Sequence, residues 1–116
     1  MLKPKATNLQ TYTDGWGTSW EVSDRRLVKE KQKIIHFAET TVGMYRFWEA
    51  MIAGTQLRKA ILVPERTDIT EGDIFVDSDG TQYEVKQVDR KDTRPVSLLV
   101  SLSAAQVIYR RKGNGN

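Results

Sequence analysis

The chain has no cysteine, one histidine and three prolines among its 116 residues. Without cysteine there are no disulfides and no thiolate metal sites, which fits an intracellular or otherwise disulfide-free setting. With His36 as the only imidazole, a nucleophilic triad would have to be built around it. No GxSxG-like elbow accompanies it, and Ile35 and Phe37 flank it in a strand-like run, so a structural histidine is the expectation. No apolar run approaches the eighteen or so residues of a membrane span. The opening MLKPKATNLQ has lysines but no apolar stretch behind them, so neither a secretory signal nor a membrane partner is expected. These absences point to a protein that is not an enzyme and takes no cofactor.

Charge is nearly balanced, 18 basic against 15 acidic side chains, a net of +3. A dedicated DNA-binding domain carries a denser basic face. The surplus lies partly at the ends, in Lys3 and Lys5 and in Arg110, Arg111 and Lys112, so only non-specific contact with a polyanion is expected there. The length suits one domain with one core, its core spanning about 9–109, with mobile basic tails at 1–6 and 110–116.

The apolar residues that are present read mostly as strands. Leu9 to Val22 suggests a hairpin turning at Asp14-Gly15. Glu30 to Ala38 is a second strand, with Ile35 and Phe37 on one face and Lys31, Lys33 and Glu39 facing out or at its ends. QLRKAILVP is closed by Pro64, which cannot donate to a ladder. TDITEGD is a loop turning at Glu71-Gly72. IFV and TQYEVKQV form a hairpin about Asp79-Gly80, DRKDTRP is a polar loop, and VSLLVSL places Val96, Leu98, Val100 and Leu102 on one face. Between these strands the period changes. Val42, Tyr45, Trp48 and Ile52 recur at three to four residues, predicting a short helix from Thr41 to Ala53 with Gly54 after it. The expected fold is mainly β, a small barrel or sandwich of six to seven strands with one helix.

DSDGTQYE holds Asp77, Asp79 and Glu84, but their spacing does not match a calcium loop, and a hairpin turn accounts for them. DGWG lacks the glycine spacing of a phosphate loop and reads as a turn. The remaining feature is the ring-rich stretch HFAETTVGMYRFWEAMIAG. One side of its helix would enter the core; Met44, Phe47 and Met51, with Arg46 and Glu49 beside them, would be left over for a partner.

Three patterns in order, FAETTVGMYRFWEAMIAGTQLRKAILVP, DITEGDIFVDSDGTQYEVKQV and RPVSLLVSL, resemble the head-closure proteins of tailed phages, also called stoppers or head–tail joining proteins. The likeness covers roughly residues 34 to 102, with DGWGTSW a looser counterpart of the family's first hairpin. It implies a virion protein of the phage neck, made in the bacterial cytoplasm. Subunits of this kind assemble as a ring, a hexamer or dodecamer, below a portal or adaptor protein and above a tail terminator or tail tube protein. Such a ring retains packaged DNA and docks the tail. The resemblance further implies that the connection around Glu39 to Gln56 reaches the channel or a neighbouring subunit. Another neck or tail component, an adaptor or tail terminator, and a small nucleic-acid-binding β-barrel are the alternatives; the last would need aromatics interleaved with basic residues on one sheet face.

Overall fold

Alternating apolar residues and turn-forming pairs give seven strands: β1 (Gly15–Ser23), β2 (Arg26–Thr40), β3 (Leu57–Pro64), β4 (Ile74–Asp77), β5 (Gln82–Lys91), β6 (Ser97–Ala104) and β7 (Arg110–Arg111). The structure, a computed structural model, describes residues 9–40 and 57–111, and every regular element among them is a strand. The fold is mainly β. The helix expected from Thr41 to Ala53 lies outside the described residues.

All strands belong to one sheet in the order β1-β4-β5-β6-β3-β2-β7, and β1 also pairs with β2. Six strands therefore close on themselves through antiparallel neighbours, which leaves only β7, parallel to β2, as an appended edge. Closure removes the unpaired backbone groups that an open sheet would expose.

The inward face follows from period-two alternation. Ile35 and Phe37 of β2, Ile61 and Val63 of β3, Phe75 of β4, Val85 of β5, and Val100 and Leu102 of β6 are buried together, with Ile69 from the β3–β4 connection. A second, smaller cluster lies on the other face of β4: Ile74 packs with Trp20 and Leu27, and Val22, Val76 and Tyr109 flank it.

Several expectations are corrected. The first hairpin does not turn at Asp14-Gly15, and residues 9–14 form no strand. Gly15 and Gly17 are strand residues, and the turn falls at Asp24 and Arg25, both at positive φ (52° and 62°). Glycine serves here for close approach. A Cβ at Gly15 would stand 2.6 Å from the Phe37 ring, and one at Gly17 would run into the Phe75 ring and the Val76 carbonyl. Asp14 is a tie to β2: its N–H donates to the Phe37 carbonyl, and its carboxylate accepts from the Glu39 N–H. β2 runs from Arg26 to Thr40, longer than Glu30 to Ala38, because β1 pairs with it from Arg26 to Phe37 and β3 from Ala38 to Thr40. β5 continues through Asp89, Arg90 and Lys91, expected in a loop, because each pairs with β6. Arg110 and Arg111, assigned to a mobile tail, form β7 against Arg26 and Leu27. Lys112 and residues 1–6 lie outside the described residues.

Other expectations match. Gly72 and Gly80 take positive φ (93° and 91°) at the two anticipated turns, and Pro64 ends β3. Leu98, Val100 and Leu102 share the inward face, whereas Val96 precedes β6.

Candidate functional site: the outer face of the first hairpin

The interior of the closed sheet is filled, and a lysine sits at each end of β4. Lys31 Nζ donates to Asp73 Oδ2 at 2.7 Å and to Thr70 Oγ1 at 3.1 Å, with Asp68 at 3.4 Å. This corrects the outward-facing Lys31 of the sequence reading, because Asp73, just before β4, is buried and draws the ammonium in. At the far end of β4, Lys59 Nζ lies 3.3 Å from Asp77 and 3.4 Å from Glu39, 5.1 Å above the Phe37 ring and 5.2 Å from that of Tyr83. Burial by itself would lower the pKa of both ammoniums. Asp73 and then Asp68 outweigh it for Lys31, as Tyr83, Asp77 and Glu39 do for Lys59, so both pKa values rise above the ordinary lysine value. These are cationic stoppers over an apolar core.

The residues singled out for chemistry are not brought together. His36 is exposed on β2, on the face opposite Ile35 and Phe37. Asp77 is held by Lys59 and the Ser78 N–H, Asp79 accepts from the Thr81 N–H, and Glu84 pairs with Lys86. The Thr81 backbone bond holds the Asp79 carboxyl below the usual carboxylate range. Among the described residues no group of three His, Cys, Asp or Glu could hold a metal ion, and no helix is long and apolar enough to cross a membrane. Met44, Arg46, Phe47, Glu49 and Met51 lie outside the described residues.

What the structure does assemble is a groove of about 330 Å³ on the outer face of β1, β2 and β4. Because Gly15, Gly17 and Ser19 point inward, Trp16, Thr18 and Trp20 point outward. Trp16 remains 43% exposed and Ile34, on the neighbouring strand, 52% exposed. Val76, Lys33 and Arg111 also line the groove. The Arg111 guanidinium sits 4.9 Å from the Trp20 ring centre, within cation–π range. The sequence reading missed this site by treating DGWG as a turn. The available signal was the Trp16-x-Thr18-x-Trp20 alternation, which puts two indoles on one face of a strand whose other face has almost no side chain.

Comparisons with family models, with curated proteins and with solved structures return no match for this chain.

Proposed function

We propose that the protein is a structural subunit of a phage neck, a head-closure protein that assembles as a ring, retains packaged DNA and docks the tail. The observation that carries this reading is the contrast between a filled interior and an apolar outer face. Apolar side chains pack the described core of this small closed sheet and a lysine ion pair stands at each end, so in this reading the channel lies between subunits. Trp16 and Ile34 then stand where an adjacent copy can cover them. A ring repeats one heterologous contact until it closes, so a modest apolar groove is used at every interface.

The segment carrying the family resemblance, residues 34 to 102, supplies the end of β2, all of β3, β4 and β5 and most of β6, a contiguous part of the sheet. Its long connection leaves β2 at Thr40 and returns at Leu57, at the rim that Lys59 stoppers. In the neck reading that rim faces the channel or a neighbour, and Met44, Phe47 and Met51 are contact residues of the connection. Portal or adaptor protein above and tail terminator or tail tube protein below are the other partners, and the virion is the location.

Native mass measurement of the purified chain tests the reading. A hexamer or dodecamer that Trp16→Ser or Ile34→Lys reduces to folded monomer is the expected result. A wild-type chain that stays monomeric at high concentration, and does not join filled capsids, would remove the reading.

A further inference from the structure

Where the tip of the β1–β2 hairpin meets β7, the fold gathers arginines that the sequence keeps more than eighty residues apart. β7 pairs in parallel with the start of β2, Arg110 beside Arg26 and Arg111 beside Leu27. Registered neighbours in a sheet project from the same face, about 4.8 Å apart. Leu27 is buried with Trp20, and Arg111 lies over that same indole. Arg26 and Arg110 therefore share the opposite face, where both are exposed. Arg25 stands next to them in the turn.

Three observations make this corner a site. Like charges set directly opposite in a sheet repel and destabilise it, yet Arg26 and Arg110 are so placed, and none of the four guanidiniums has a carboxylate partner among the described residues. Arg25, next to Asp24 at φ 52°, holds φ at 62°, a conformation that Gly or Asn adopts at far lower cost; strain kept at an arginine in this turn points to a use for it. Among the described residues, 21–30 and 110–111 contain five basic and three acidic side chains, so the corner carries a local basic surplus that attracts a polyanion.

We propose that Arg25, Arg26 and Arg110 form a contact site for the phosphodiester backbone of nucleic acid. Guanidinium forks match phosphate oxygens in pairs, and three on one face suit a ligand whose anionic charges recur along a line. An anion between Arg26 and Arg110 also neutralises the repulsion that their pairing creates. No base-reading residue lies among the three, so binding is independent of sequence. The site does not rest on the neck reading and would serve a monomer equally.

The test is binding of the full chain to fluorescent 20-mer oligonucleotides, one duplex and one single-stranded arm, across a salt series. Three phosphate contacts give a slope of log K against log salt of about −2.7 on duplex, a loss of about 40-fold between 50 and 200 mM salt, and about −2.1 on a single strand, so the arms separate the two sources. Arg26→Gln with Arg110→Gln should bring the duplex slope to about −0.9 without lowering the melting temperature. Arg90→Gln, which removes a cation paired with Glu65 on β5, should leave the slope unchanged. The proposal is overturned by an unaltered slope in the double variant, by absence of binding at about 50 mM salt, or by polyglutamate displacing the oligonucleotide at lower charge concentration than competing DNA. Assembled rings without nucleic-acid binding would overturn this site alone, and binding by an obligate monomer would leave it standing while removing the neck reading.

Discussion

The Phe37 and Phe75 rings meet edge to face, centroids 5.8 Å apart at 70°, and each occupies the space beside a glycine of β1. Gly15 lies against Phe37 and Gly17 against Phe75, so β1 approaches the core with almost no side chain of its own. The two rings supply the volume that β1 withholds. That exchange also frees the alternate positions of β1 to carry indoles outward.

Gly17→Ala should therefore overpack the Phe75 ring and the Val76 carbonyl, costing about 1–3 kcal/mol. A urea titration would show a lower midpoint, and Phe75→Leu in the same chain should recover part of the loss. If the alanine is neutral, β1 is not held against the ring by contact.

Asp73 organises one end of the sheet. Its Oδ2 accepts from Lys31, the Thr70 N–H and the Thr70 hydroxyl. Asp73→Ala leaves a largely buried ammonium without its nearest partner and should destabilise by about 2–3 kcal/mol, discounted from a fully buried pair because Lys31 retains some solvent access. Lys31→Met combined with Asp73→Leu should cost less than Asp73→Ala alone, as a double-mutant cycle would show.

Both stopper lysines have folded-state pKa values above their unfolded ones. Their stabilisation is thus fully present at neutral pH and is lost as pH rises through and beyond the ordinary lysine range. Denaturation midpoints followed upward from neutrality should fall in that alkaline window, and Lys59→Met should shrink the fall. A midpoint flat to strongly alkaline pH would mean that neither ammonium is held by its carboxylates.

Arg25→Gly should relieve the left-handed strain in the β1–β2 turn and raise the melting temperature, a gain of up to about 1 kcal/mol after the entropy that glycine adds to the unfolded chain. His36→Gln, exposed and away from both stoppers, should leave stability and assembly within measurement error.

Phe47→Ser is expected from helical periodicity to leave the monomer folded and to impair ring formation, read by melting temperature and native mass together. An unfolded monomer would mean that Phe47 belongs to the core.

The sequence by itself determined the class of fold and most of its core. Period-two alternation in KIIHF, KAILVP and SLLVSL marks Ile35, Phe37, Ile61, Val63, Val100 and Leu102, because a strand can bury only every second side chain against one core. The glycines at 72 and 80 marked their turns, since positive φ is cheap only without a Cβ. Tertiary structure alone decided the rest. Asp14-Gly15 has the composition of a turn, but its glycine is required by the Phe37 ring of another strand, a demand invisible to local reading. The outer groove, the stoppers and the arginine corner depend on which strands become neighbours. Pairing β2 with β7 and closing β1 onto β2 bring together Arg26 with Arg110 and Trp16 with Ile34, and such long-range register is set by global packing, not by any single stretch of chain.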